Sequence, residues 1–389
     1  MKGNHRIIGL DSHPDVFAAA ALSGGDAGSA RAEWVHDRQP TARLEAWAQK
    51  HLRAGDIVVL EASGNSFAIA ARLHACGHTA LILESAQAGK IRDNFCNDDR
   101  HSAVKLARVY LSGLAKTVWQ PDAQTRERRE VQFAHRNAVK DTTRCRSRIR
   151  SFLNEHCVRL PKGTRLTDAS GLQTALAAKP WSALQQALIT QKFEQLWTGE
   201  KLRRDLEQVM VRELAAHPGW ARLWRLLGIR HRVAFALMAL IGDVHRFPTA
   251  KHLVGYFGLS PRKEQSGNDP RGREQGLGRG GRGDVRALLI QSAQNALTQR
   301  SSPLHRWGWK LLVKKHRHLA AAAVARKLAV SIWHLLMGHF TPLVEAGEHL
   351  RTKLLKLATL LGKDTLRDLG FEHRTAWVEH QIQSIQLST

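Results

Sequence analysis

Arg6-Ile7-Ile8-Gly9-Leu10-Asp11 is the stretch on which the reading of this chain turns. The apolar run reads as a buried strand, and it stops at a carboxylate. Asp11-Ser12-His13-Pro14-Asp15 turns the chain, and Val16 to Leu22 is a second apolar run. Ile57-Val58-Val59-Leu60 is rich in β-branched residues and ends at Glu61. Leu44 to Leu52 and Ser66 to Ala75 have helical spacing, and Thr79 to Leu83 reads as another strand. Strands and helices that alternate in this way predict an α/β layer with a mixed sheet over residues 5–85.

Working outward, strand signals nearly vanish from Asp99 onward. Ala103 to Leu114 is an amphipathic helix, and residues 122–157 read as one long helix or a helical hairpin. From Arg126 to Arg150 this segment carries Arg126, Arg128, Arg129, Arg136, Lys140, Arg144, Arg146, Arg148 and Arg150 against Glu127, Glu130 and Asp141. That imbalance predicts a phosphate-contacting face, with a solvated face as the alternative. Residues 158–178, with Pro161, Gly163 and Gly171, suit a linker. Residues 181–216 are helical, and Leu184, Leu188, Phe193, Leu196, Leu202, Leu206 and Val209 recur at near-heptad spacing. Such spacing suits an oligomer-forming coiled coil or an ordinary intramolecular helix pair equally. Residues 220–256 read as short apolar helices turning at Gly228 and Gly242. After the glycine- and arginine-rich stretch Ser266 to Gly283 come helices over Val285 to Thr298, Pro303 to Lys315 and Leu319 to His339. The organisation expected is an α/β part over 1–120, a basic helical middle over 121–218, a mostly α part over 219–345 and a polar tail over 346–389.

Charge narrows the partner. The 59 Lys and Arg against 34 Asp and Glu give a net charge of +25 and a pI near 10.8. A field of that sign concentrates polyanions, so nucleic acid is the expected partner and an acidic membrane surface its competitor. No stretch of sequence approaches the roughly 20 apolar residues of a spanning helix. Met1 to Arg6 is polar, without a signal-peptide core. The expectation is a cytoplasmic, nucleoid-associated protein without a membrane partner. Cys76, Cys96, Cys145 and Cys157 form no CxxC and no zinc spacing, so reduced structural or surface thiols are expected. His135, His156 and His231 read as surface or packing residues.

Two clusters carry chemistry. Phosphoryl transfer through two metal ions needs converging carboxylates, and hard oxygen ligands suit Mg²⁺ or Mn²⁺. Asp11 and Glu61 are placed for this at the ends of neighbouring strands. A third acid would come from a helix crossing behind, and Asn97-Asp98-Asp99-Arg100-His101-Ser102-Ala103 opens such a helix. The second cluster surrounds Ser266 with Arg262, Lys263, Arg271, Arg273, Arg279, Arg282 and Arg286. Glycine amides there can approach a phosphate closely. A serine hydroxyl needs a base or a metal to become a nucleophile, and the absence of GxSxG removes the esterase reading. On composition alone, a flexible loop in which Ser266 only turns the chain is an equal alternative.

The order of these motifs resembles the "IS one-ten" insertion-sequence transposases, related to the Piv-type DNA invertases. The resemblance runs over about residues 5–340. It is carried by Ile8-Gly9-Leu10-Asp11, Val59-Leu60-Glu61-Ala62-Ser63-Gly64, and Asp99-Arg100 through Ala103-Val104-Lys105-Leu106-Ala107-Arg108. Further along come Val118-Trp119-Gln120-Pro121-Asp122, Leu240-Ile241-Gly242-Asp243 with Arg246-Phe247, Tyr256-Phe257-Gly258-Leu259-Ser260-Pro261-Arg262, and Gln265-Ser266-Gly267. The resemblance implies an RNase H/RuvC-like N-terminal domain, a helical coiled-coil middle and a mostly α C-terminal transposase domain. It implies metal ligands at Asp11, Glu61 and Asp99. It also implies a catalytic Ser266 that links covalently to a DNA phosphate, acting with an acidic site from a partner subunit in a dimer or tetramer. A noncoding guide RNA pairing with donor and target DNA is a further implication. The family's fourth acid falls at Ser102 here, so a hydroxyl, a water, Asp98 or His101 would fill that slot. The segment Leu226-Leu227-Gly228-Ile229-Arg230 to Asp243 resembles the family's helical hairpin, either holding a DNA backbone at a helix N-terminus or forming core. Trp119 and Trp224 suit packing more than base stacking. Rival readings are a RuvC-like nuclease that uses water, and a non-catalytic nucleic-acid binder.

Overall fold

The computed structural model describes residues 6–85, 99–264, 273–278, 280–298, 303–313, 316–339 and 347–387. The chain divides into two compact units, Met1–Pro121 and Asp122–Thr389.

In the first unit, β1 (Ile7–Ser12), β2 (Val16–Ser23) and β3 (Arg31–Pro40) form an antiparallel meander, followed by α1 (Leu44–His51). Then come β4 (Ile57–Glu61), α2 (Ser66–Ala75), β5 (Thr79–Leu83) and α3 (Asp99–Leu111). The sheet order is β3-β2-β1-β4-β5, with β4 parallel to both β1 and β5. This is the expected mixed sheet, with one strand added. Arg31–Pro40 has no apolar run because it is an edge strand, with no residue fully buried. Its aromatic Trp34 and His36 stack on one another and lie against Trp47 of α1.

Alternation along β1 and β4 separates two faces. Ile8 and Leu10 share a core with Val58 and Leu60, under α1 and α2. Ile7 and Val59 belong to the other core, with Ala103, Leu106 and Ala107 of α3. Gly9 is where α3 meets β1. A Cβ there would lie 1.8 Å from the Ala103 carbonyl oxygen, so only glycine allows the helix to lie so close.

The second unit is helical around one small hairpin. Its elements are α4 (Ala123–Glu155), α5 (Ala169–Ala177), α6 (Ala183–Ala215), a 3-10 turn at Pro218–Arg225, α7 (His231–Ile241) and α8 (Ala250–Tyr256). The strands β6 (Pro261–Glu264) and β7 (Arg273–Leu277) pair antiparallel. Then come α9 (Gly283–Thr298), α10 (Pro303–Leu312), α11 (Arg317–Leu336), α12 (Gly347–Asp368) and α13 (Arg374–Leu387). α4 is a single helix, capped by Asp122, whose side chain accepts from the Thr125 amide at 2.7 Å. It packs on α6, where Gly199 brings the helices together over Thr142.

Four expectations change here. The linker contains α5, started by Asp168 accepting from the Gly171 amide. The near-heptad residues divide: Phe193 and Leu196 are buried within the unit, whereas Leu184, Leu188, Leu202 and Val209 are exposed. α6 packs on α4 within the chain, and its other near-heptad residues face outward. The tail is not merely polar. Leu350, Leu354, Leu357, Trp377 and Val378 are buried in the main core, and Lys353 Nζ donates to the Trp224 and Leu226 carbonyls. Finally, α11 is long and apolar enough to cross a membrane. Its Ala321, Val324, Leu328 and Ile332 are buried in the core of the unit, which accounts for the composition.

Candidate active site

The end of the sheet in the first unit carries two of the expected carboxylates, Asp11 and Glu61. β1 and β4 pair in register at Leu10 and Leu60, so Asp11 and Glu61 stand one residue further on, at the same level of adjacent strands. Adjacent strands lie about 4.8 Å apart. Both residues continue the Ile7/Gly9 and Ile57/Val59 alternation, which faces α3. Asp99 is the first residue of that helix. The next residue, Arg100, donates to Asp37 at 2.9 Å, beside the irregularity where β3 passes Ala18. Ala18 is the β2 partner of Asp11. The first turn of α3 therefore lies at the Asp11 end of β1. Ser102 in that turn is half-buried and His101 is exposed; Asp98 lies outside the described residues. Among the described residues no group of three or more His, Cys, Asp or Glu is close enough to hold a metal. The Asp11 and Glu61 pair nonetheless offers hard oxygen donors of the kind Mg²⁺ or Mn²⁺ takes.

Asn65 joins the two strand ends. Its Oδ1 accepts from Ser12 Oγ and Ser63 Oγ, each at 3.0 Å, and its Nδ2 donates to the His13 carbonyl at 3.0 Å. The loop after β1 is thus tied to the loop after β4. Sequence reading stopped one residue short of Asn65, at Gly64. A side-chain amide in a polar loop gives no periodic signal; its value is in the long-range contact.

The serine cluster lies in the second unit. Ser266, Arg271 and Arg279 lie outside the described residues, and Ser266 falls between the paired strands β6 and β7. Arg262, Lys263 and Arg273 are strand residues of this hairpin. The base of the hairpin is closely built. A Cβ on Gly281 would lie 2.5 Å from the Gly258 nitrogen, and Gly258 itself has φ 65°. Arg286 Nη1 donates to the carbonyls of Gly278 at 2.7 Å, Gly258 at 3.3 Å and Gly280 at 3.4 Å. Arg282 forks onto Asp284 at 2.9 and 3.2 Å, and Arg326 donates to the Leu259 carbonyl at 3.1 Å. Arg282 and Arg286 were expected on phosphate; here their guanidiniums hold the protein's own backbone and carboxylate.

The arginines of α4 are similarly divided. Arg129 donates to the Ala239 and Leu240 carbonyls, and Arg246 to Leu240 and Ile241. Tyr256 Oη also donates to Leu240. These groups close the C-terminus of α7, where cations are favoured. Burial works against the charge of both arginines. Arg126 is half-buried, whereas Arg144 and Arg148 remain exposed. Arg144 pairs with Asp141 at 3.1 Å, a surface contact worth little.

A buried ionic cluster joins α4, α6 and α7. Glu207 accepts from Arg203 at 2.5 Å, Arg232 at 2.8 Å and His135 at 3.1 Å. Burial works against its ionisation, but His135, Arg232 and Arg203 outweigh it and hold the carboxyl at about 2. His231 lies 4.0 Å from Glu207, and burial pushes its imidazole down to about 4. This places His135 and His231 in packing rather than on the surface. The hairpin around Gly228 is also core: Leu226, Leu227 and Ile229 are buried, and a Cβ on Gly228 would meet the Ser292 carbonyl oxygen at 2.7 Å. Trp224 is buried, and Trp119 is half-buried. Cys76, Cys145 and Cys157 are free thiols; Cys96 lies outside the described residues.

Comparison with known proteins agrees with the order of these motifs. Residues 221–307 match the model of the Transposase IS116/IS110/IS902 family. A Pseudomonas aeruginosa protein named "Probable family 20 transposase" is 28% identical over 344 residues, 85% of this chain and 96% of its own length. The "Transposase for insertion sequence element IS1111A" of Coxiella burnetii is 25% identical, over 85% of this chain and 89% of its own. A Streptomyces coelicolor insertion element IS110 protein is 36% identical over 91 residues, 23% of this chain and 22% of its own. The family match covers α7, the hairpin and α9, and the longer relatives extend the likeness over most of the chain. Over residues 221–307 this chain is similar to the IS116/IS110/IS902 family of insertion-sequence transposases, and over most of its length to proteins named as transposases.

Proposed function

We propose that the protein is a DNA transposase that cuts and rejoins strands through Ser266, using an acidic site of RuvC-like architecture. The observation that carries this reading is the levelling of Asp11 and Glu61 on adjacent parallel strands, both on the face covered by α3. The strand order, with three antiparallel strands followed by two parallel ones, supports a RuvC-like assignment. The names of the relatives support DNA as substrate.

In this reading Asp11, Glu61 and Asp99 hold Mg²⁺ or Mn²⁺, with the Ser102 hydroxyl at the weaker fourth position. The ion, when bound, neutralises charge on a phosphoryl oxygen and favours ionised hydroxyls. Asn65 keeps the two carboxylate-bearing strand ends at one level. Ser266 Oγ attacks the DNA phosphorus. One serine–phosphate bond forms and one sugar–phosphate bond breaks, and the serine proton ends on the departing sugar oxygen. Attack by the hydroxyl of another strand reverses the step and releases Ser266. Phosphodiester bonds are conserved in number, so no external energy source is needed. Gly258, Gly281 and Arg286 hold the base of the serine-bearing hairpin. The acidic site and the serine come from different subunits of a homodimer or tetramer, and a noncoding guide RNA selects the strands. The setting is the cytoplasm, at the nucleoid.

The test is covalent trapping of the protein on DNA carrying its element's ends. The wild type should form a Mg²⁺-dependent adduct. Ser266→Ala and Asp11→Asn should each reduce it by a factor on the order of 10³ or more. Adducts that survive Ser266→Ala remove the serine's role. Cutting that survives Ser266→Ala but not Asp11→Asn indicates a nuclease using water. Binding without cutting, indifferent to Mg²⁺ and to Asp11→Asn, indicates a decayed site at Ser102.

A further inference from the structure

The second unit contains a long stretch without carboxylates. From Val285 to Val344 there is no Asp or Glu, against nine Lys and Arg, where the chain average would place about five acids. Some of these cations are held internally: Arg286 and Arg326 on carbonyls, Lys327 over the Trp307 ring. Among the described residues, Arg306 and Lys310 of α10 have no such partner. Leu304, Gly308 and Leu312 turn one face of α10 to the core, and a Cβ on Gly308 would lie 2.4 Å from Leu297 Cδ2. The opposite face presents Arg306, Trp309, Lys310 and Val313, at i, i+3, i+4 and i+7. Trp309 is 57% exposed. His305 backs it, with ring centroids 5.7 Å apart and planes 25° apart. His305 is itself held by the Leu297 carbonyl at 2.8 Å. Arg317, opening α11, adds another exposed cation.

We propose that this face of α10 is a docking site for single-stranded DNA, with an unpaired base stacking on Trp309 and the adjoining phosphates on Arg306 and Lys310. An exposed indole held by its neighbours offers a flat apolar face. Arg306 one helical turn before the indole and Lys310 next to it, with no carboxylate in the segment, make the surroundings complementary to a polyanion. Duplex bases are already stacked and cannot use such a platform, so the ligand must have unpaired bases. The choice of DNA over RNA rests on the proposed function, since strand exchange exposes unpaired DNA. The stacking site itself requires neither Ser266 nor the acidic cluster.

The experiment is anisotropy titration of the full chain with a labelled single-stranded DNA 20-mer, without divalent metal so that no chemistry occurs. Its failure is thereby separate from failure of the adduct assay. Trp309→Ala should weaken single-strand affinity roughly tenfold and leave affinity for the same sequence as duplex within about twofold. Trp309→Phe should retain most of the binding. An oligonucleotide of abasic sites should bind the wild type as weakly as the normal strand binds Trp309→Ala. Arg306→Ala with Lys310→Ala should lower the salt slope by roughly 1.4. Because Trp309 is exposed, thermal melts should match the wild type. Unchanged single-strand affinity in Trp309→Ala overturns the proposal. So does a Trp309 dependence seen only with RNA of the same sequence, or only with anionic phosphatidylserine vesicles.

Discussion

The long helix α4 and the segment from Val285 to Val344 are both strongly basic, and they use their cations differently. On α4, Arg128 donates to Glu213 and His217, each at 2.8 Å. Arg129 closes the end of α7, Arg136 reaches Asp284 at 3.5 Å, and Arg146 pairs with Glu200. Only part of the charge counted there faces water. In the later segment no carboxylate is present to pair with. Pairing, not charge density, therefore locates the surface available to a polyanion. A buried guanidinium holds helices together, and an unpaired exposed one contributes to the external field.

The ionic cluster around Glu207 is where that contrast is most easily broken. Glu207→Gln leaves Arg203, Arg232 and His135 without their shared counter-charge. Breaking a buried pair costs roughly 3–5 kcal/mol. Arg232 is half in solvent and Arg203 keeps Glu200, so the lower end, about 3 kcal/mol, is expected. Urea denaturation followed by circular dichroism measures it. A change under about 1 kcal/mol would show that these cations are as free as those of α10 and that the contrast is one of appearance.

Acid probes the same cluster. His231 has a folded value of about 4, below its ordinary 6.5, because burial disfavours the imidazolium. Unfolding lets it take up a proton, so its contribution is present above about 6.5 and is lost as pH falls from there towards 4. The slope through that window is about 1.4 kcal/mol per pH unit at most. Glu207, depressed from 4.5 to about 2, adds a loss of the same sign below that window. Denaturation midpoints between pH 7 and pH 4 should fall for the wild type, and His231→Gln should flatten the decline. A slope unaltered by His231→Gln would assign the acid sensitivity elsewhere.

The first unit was legible because periodicity and burial agree there. Ser66–Ala75 and Thr79–Leu83 have the bounds that spacing indicates; Glu61 ends its strand, and Asp11 stands one residue before the end of its own. The edge strand β3 escaped because a strand paired on one side does not require an apolar run. The hairpin β6–β7 escaped because a stretch so rich in arginine and glycine carries no apolar alternation. The tail escaped because Trp377 and Val378 are isolated apolar residues in a polar sequence, buried only by a distant partner. For the candidate site, strand ends could be read and bonds could not. Nothing local distinguishes Arg286, which binds three carbonyls, from an arginine that faces a phosphate. The glycines at 258 and 281 gave half of that signal, since their close approach already implies a built loop rather than a free one.

The exposed remainder of α4 sharpens the comparison at the smallest cost in stability. Lys140, Arg144 and Arg148 recur every four residues and form one exposed stripe. Replacing all three by Ala should change folding stability by less than about 0.5 kcal/mol, because surface side chains without buried partners contribute little. If the stripe binds duplex phosphates, the slope of log affinity against log salt should fall by up to about 2.7, or roughly 0.9 per contact. The same titration on Trp309→Ala should leave the duplex slope alone. Duplex on the α4 stripe and single strand on α10 would then be separable functions of two basic regions. An unchanged duplex slope in the triple variant would mean that α4 carries its arginines for packing alone, and that the external field of the molecule originates after Val285.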